Sequence, residues 1–133
     1  MSVSAVDLAA VPLFDSLDES EREEVATWFD VKIADKDVRL VGEGSSGYSF
    51  FVLVSGSAVV TSAGVELGTL SPGDFFGEVA ILGGGRRTAS VTTTSPSTLF
   101  TLFGTDFRKL QQTHPQIADR IEAAMRDRLT NGA

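Results

Sequence analysis

The 133-residue chain has no cysteine, a single histidine (His114) and fewer bases than acids, 11 against 18. The missing cysteine excludes disulfide frameworks, thiolate metal sites and cysteine nucleophiles. With one histidine, a His-rich metal site is excluded and Ser-His-Asp chemistry is left one candidate base, in a chain without a Gly-x-Ser-x-Gly elbow. The formal net charge of −7 argues against general nucleic-acid binding, which needs a basic face. No run approaches the length of apolar sequence that spans a bilayer. Residues 1–10 lack the basic and apolar regions of a signal peptide, so a cytoplasmic protein is expected. The length accommodates one domain with one core.

What the chain has is unevenly placed. Eleven of its 13 glycines fall between Gly42 and Gly85. Residues 1–39 carry ten acids and four bases, residues 40–107 five and two, and residues 108–133 three and five. The two central bases, Arg86 and Arg87, are adjacent and directly follow the triplet Gly83-Gly84-Gly85.

Residues 16–29 read as a helix. Ser16 with Glu19, or Asp18 with Glu21, offers a capping box, and acids crowd the first turn. Val25, Trp28 and Phe29 share a face, with Leu13, Phe14 and Leu17 packing at its start. From residue 31 the period becomes two. Short β-rich runs occupy Val31–Ile33, Val38–Val41, Phe50–Val54, Ala58–Thr61, Val65–Leu70, Ser90–Thr94 and Thr98–Phe103, separated by Gly, Ser, Pro and Asp. Such a series indicates an antiparallel sandwich or barrel. Helical spacing returns after Gly104, with Thr105 as a cap of a helix through Gln112. Pro115 opens a last helix on which Ile117, Ile121, Ala124, Met125 and Arg128 share a face, Leu129 at its margin.

Gly42-Glu43-Gly44-Ser45-Ser46-Gly47 matches the dinucleotide fingerprint in letters only, because a strand rather than a helix follows it. A kinase-type glycine loop needs a lysine on the next strand, and there is none between Lys36 and Lys109. A loop between strands is the better reading. His114, in Thr113-His114-Pro115, reads as a helix-junction residue. Residues 71–91 differ. Gly73-Asp74 closes a turn, Phe75-Phe76 buries a short segment, and Glu78–Leu82 reads as one helical turn stopped by glycines. Unpaired amides at such a helix start bind anions, and an arginine fork can join them. A carboxylate beside that anion can accept ribose hydroxyls. The bland alternative is a solvated hairpin with a basic tip and a surface glutamate.

Phe76-Gly77-Glu78-Val79-Ala80-Ile81-Leu82, then five residues, then Thr88-Ala89-Ser90-Val91 resembles the phosphate-binding cassette of the cyclic nucleotide-binding domain family. That family includes the catabolite activator protein, regulatory subunits of cyclic-AMP-dependent kinase and cyclic-nucleotide-gated channels. Leu13-Phe14 with the helix through Phe29, Val41–Gly44, Leu53–Ala58, Ser71–Asp74 and Asp106–Leu129 extend the resemblance over nearly the whole chain. It implies a mainly β, α+β fold: an antiparallel β-roll or jelly-roll barrel with an N-terminal helix and two C-terminal helices. Residues 1–133 would form one domain: a helical segment 1–30, a roll 31–103 containing the cassette 76–91, and helices over 104–133.

The resemblance also implies roles. Arg87 would hold the cyclic phosphate and Glu78 accept the ribose 2′-hydroxyl. Gly77, Val79, Ala80 and Ala89 would surround the sugar-phosphate, with the Thr88 hydroxyl near phosphate or purine. Val52, Leu67 and Leu70 would wall the base, and Met125 or Leu129 would serve as a lid. Arg86 lies where many members have another residue, often Pro, and is not taken as a ligand. Thr88 can hydrogen-bond a guanine amino group, yet some members with Arg-Thr-Ala bind cyclic AMP. The cassette thus leaves the purine open between the two; cyclic AMP is the expected ligand and cyclic GMP the alternative.

No enzymatic activity, metal, cofactor, DNA or membrane contact is expected. The chain ends four residues after Leu129, without room for a helix-turn-helix or other output domain. It therefore reads as a free-standing sensor, signalling through its last helix to a protein partner or a second copy. The rival reading is an interaction or dimerisation module that keeps the fold but no longer binds nucleotide; the intact Glu78/Arg87 pair argues against it. A cupin-type enzyme would need clustered metal ligands that one histidine does not provide.

Overall fold

Ser4 and Asp7 cap one another's backbone amides reciprocally and start α1, Ala5–Ala9. The computed structural model describes residues 3–15, 17–42, 49–77 and 89–130, the last seven by backbone alone. Helix α1 was not among the sequence expectations, although Ser4-x-x-Asp7 is a legible capping signal. A 3-10 turn, Pro12–Phe14, follows, and Asp18 with Glu21 forms the capping box of α2, Glu19–Ala26. Of the two boxes weighed, Asp18/Glu21 is the one formed, and α2 stops short of residue 29. Trp28 and Phe29 follow in turns whose amides reach Val25 and Ala26, and Phe29 packs edge-on against Phe14.

All seven expected strands form: β1 Asp30–Ala34, β2 Arg39–Val41, β3 Ser49–Ser55, β4 Ala58–Ser62, β5 Val65–Leu70, β7 Ser90–Thr93 and β8 Ser97–Phe103. An eighth, β6, is the pair Phe75–Phe76, too short to show a period in sequence. Two antiparallel sheets result, in the orders β1-β8-β3-β6 and β2-β7-β4-β5. The β4–β5 hairpin turns through Ala63 and Gly64, both at positive φ, the geometry that suits right-twisted strands.

Strand alternation divides the apolar residues into two cores. Ala34, Val41, Phe51, Leu53, Ala58, Leu70, Phe76, Val91 and Leu99, drawn from both sheets, fill the roll. On the other face of the first sheet, Phe50, Val52, Phe100 and Leu102 pack against the helices through Phe14, Val25, Phe107, Leu110, Ile117 and Ile121. This is the β-roll with flanking helices that the sequence implied.

Helix α3 runs Gly104–Thr113 and α4 Pro115–Thr130. Thr105 is not the cap of α3. Phe103, the last residue of β8, occupies the cap position without a side-chain hydrogen bond, so Thr105 lies one residue inside the helix. Pro115 opens α4, where its missing N–H costs no hydrogen bond. None of the described helices is long and apolar enough to cross a membrane.

Candidate functional site

The turn before the cassette is stitched to β3 and to itself. Gly73 N–H donates to the Leu53 carbonyl (2.8 Å), and Leu53 N–H donates to the Asp74 carbonyl (2.9 Å). The Asp74 carboxylate accepts the Ser71 N–H at 2.8 Å. Gly73 has φ +98°, and a Cβ there would lie 3.5 Å from the Pro12 ring, so the 3-10 turn rests on this loop. Beyond it, Phe76 faces the roll interior, stacked on Phe51 at 4.9 Å, while Phe75 meets Phe50 on the helix side at 5.6 Å. Gly77 then takes φ +96°, a conformation that disfavours any side chain. The chain leaves the first sheet at Gly77. It is described again at half-buried Ala89, one residue before β7 of the second sheet.

On the edge strand β5 the second sheet is open at one inner-face position, Gly68. Ala58 and Val60 pair across β4–β5 with Leu70 and Gly68, and Val60 pairs with Val91 on β7. Cross-strand partners share a face, so Gly68 lies on the face that holds Leu70 and Ala58. Gly68 is nevertheless exposed, and a Cβ on it would meet nothing within 4 Å among the described residues. Gly68 is thus an open position on the face of β5 whose neighbours Leu70 and Val91 are buried in the roll core, against which Val60 packs.

The sequence-predicted residues divide accordingly. Leu70 is buried in the roll, and Leu67, 42% exposed, lies on the edge strand β5. Val52 requires correction: it is fully buried in the helix-facing core, because alternation along β3 sends Phe51 and Leu53 into the roll and Val52 away from it. Val52 and Leu70 therefore do not form one wall. Val60 and Gly68 were missed, though counting by two from Ala58 would have found Val60. Glu78, Val79, Ala80, Arg86, Arg87 and Thr88 lie outside the described residues, as do the side chains of Met125 and Leu129. No cluster of three or more His, Asp or Glu able to hold a metal occurs among the described residues.

Residues 32–114 match the family model of the cyclic nucleotide-binding domain. The chain belongs to the cyclic nucleotide-binding domain family. Within that family it is 32% identical over 123 residues to a cyclic nucleotide-gated potassium channel of Rhizobium etli, covering 91% of this chain and 34% of the channel. Among solved structures it resembles the regulatory domain of Toxoplasma gondii PKA with cAMP (TM-score 0.78, 26% identity, 90% of this chain and 48% of that one). It also resembles the catabolite activator protein of Thermus thermophilus (TM-score 0.80, 27% identity, 91% of this chain and 59% of that one). The chain spans between 22% and 34% of the length of the first curated relatives it matches.

Proposed function

We propose that residues 1–133 act as one regulatory module that binds cyclic AMP in preference to cyclic GMP. The phosphate would be neutralised by Arg87 and by amides of the segment that starts at Gly77 and ends at Ala89. Glu78 would accept the ribose 2′-hydroxyl, and Thr88 would lie near phosphate or purine. The base would rest on Leu67, Val60 and Leu70, over Gly68; Val52 has no part in it. Val79 and Ala80 would close the sugar side. The single observation that carries this reading is the open position at Gly68 beside Val60 and Leu70, in a member of the family whose sequence carries the Glu78…Arg87 pair. Binding would shift the population of the last helix, with Met125 or Leu129 meeting the base, and that helix would be what a protein partner or a second copy senses.

Thermal unfolding with and without each nucleotide tests the proposal. At 100 times its dissociation constant a ligand adds about 2.7 kcal/mol. The shift should be larger with cyclic AMP and should largely vanish in Arg87→Ala, which removes the phosphate's main countercharge. Arg86→Ala should leave it intact; the opposite result would move the phosphate contact to Arg86. Gly68→Leu, which places a side chain in the open space at that position, should lose the shift while unfolding alike without ligand. No shift with either nucleotide at millimolar concentration sinks the reading.

A further inference from the structure

His114 is the chain's only imidazole, and it sits where α3 ends and α4 begins. Its N–H donates to the Leu110 carbonyl, and its own carbonyl accepts the Ile117 N–H, so the residue belongs to both helices. The side chain is 7% exposed, with Nδ1 3.5 Å from Glu21 Oε2 and Nε2 3.6 Å from Glu24 Oε1, both on α2. Nε2 is buried with no hydrogen-bond partner among the described residues. Trp28 flanks the ring at 6.3 Å and carries Lys109 of α3 on its own face, 5.1 Å from the centroid. Lys109 is paired with Asp106, and Arg120 of α4 is engaged by Asp15.

A neutral imidazole has one N–H and one lone pair, whereas an ionised carboxylate only accepts. Whichever tautomer forms, one lone pair therefore faces a carboxylate oxygen. The imidazolium has a donor on each nitrogen and meets an opposite charge on both sides. We propose that His114 is a proton-operated clasp: protonation lets its ring bridge Glu21 and Glu24 and fastens α2 to the α3–α4 junction. The clasp needs no nucleotide, and its success or failure is read on the protein alone. Because the bridging form is the protonated one, fastening strengthens on acidification and weakens as pH rises.

The test is denaturant unfolding at about pH 8 and about pH 6, limits that bracket ordinary imidazole titration. Wild type, His114→Gln and Glu24→Gln are compared; Glu24 is chosen because it lies outside the α2 capping box. Acidification relieves the net negative charge in all three proteins, so the difference between their gains isolates the clasp. Wild type should gain more than either variant, by on the order of fivefold in the unfolding equilibrium constant. Hydrogen-exchange protection of α2 and of the Ile117 and Ala118 amides should rise on acidification in wild type and not in Glu24→Gln. Equal gains in all three proteins, or protection that rises alike in Glu24→Gln, overturn the proposal.

Discussion

Two glycines separate conformational strain from steric exclusion. Gly56 has φ +94°, and a Cβ on it would lie 2.6 Å from the Pro96 carbonyl oxygen and 2.7 Å from Ser97 Cα. Gly64 has φ +78°, yet a Cβ there would meet nothing within 4 Å among the described residues. Gly64→Ala should therefore cost about 1 kcal/mol, the strain of a left-handed alanine alone. Gly56→Ala adds a collision with backbone and should cost about 2–4 kcal/mol. Urea unfolding of the two variants checks this, and equal costs would remove the role assigned to the close approach. Ser55-Gly56 was legible as a turn. That it is crossed by the β7–β8 turn, with Ser57 bonded to Thr94 and Ser95, was not. The same limit misplaced Val52: apolar content is local information, while the face a residue buries depends on what packs on each side of its strand.

Elements were legible in proportion to the local chemistry that starts them. Seven strands and both C-terminal helices could be read from period and punctuation, and Asp18 with Glu21 carried its own cap. β6 escaped because its two residues pair with β3 only in the folded chain. The start of α3 was misread because Thr105 looks like a cap while the backbone places Phe103 there, at φ −69° and ψ 155° with no side-chain acceptor. Phe103 is 60% exposed, so replacing it removes little buried surface. Phe103→Ser should supply an acceptor for the free amides of the first turn and raise stability by about 1 kcal/mol. Thr105→Ala should be neutral within about 0.5 kcal/mol, as befits a residue away from any cap. A loss near 1 kcal/mol in Thr105→Ala, with no gain in Phe103→Ser, would restore the threonine as the cap. Urea midpoints decide between them.

At the scale of the whole molecule, the charge segregation seen in the sequence becomes a docking arrangement. The acidic N-terminal segment meets the more basic C-terminal helices: Asp15 pairs with Arg120, and Glu21 and Glu24 flank His114. The sign of that attraction was readable, but its partners, 105 residues apart for Asp15 and Arg120, were not. Arg120 Nη1 donates to Asp15 Oδ1 at 2.9 Å and to the Leu13 carbonyl at 3.1 Å, holding α4 to the 3-10 turn that in turn rests on Gly73. The base of the last helix and the turn before residues 78–88 are thereby attached to one short element. Both Arg120 and Asp15 are substantially solvent-exposed, so screening matters. Arg120→Ala should cost about 1 kcal/mol at low salt. In about 1 M salt the Debye length falls to about 3 Å, and the cost should shrink to what the carbonyl hydrogen bond contributes. Arg120→Lys keeps the charge but not the guanidinium N–H aimed at the carbonyl, so it should recover the salt-dependent part and little of the remainder. Unfolding of the three proteins at the two salt concentrations separates the contributions, and a cost for Arg120→Ala that ignores salt would leave hydrogen bonding alone as the tie between α4 and the N-terminal turn.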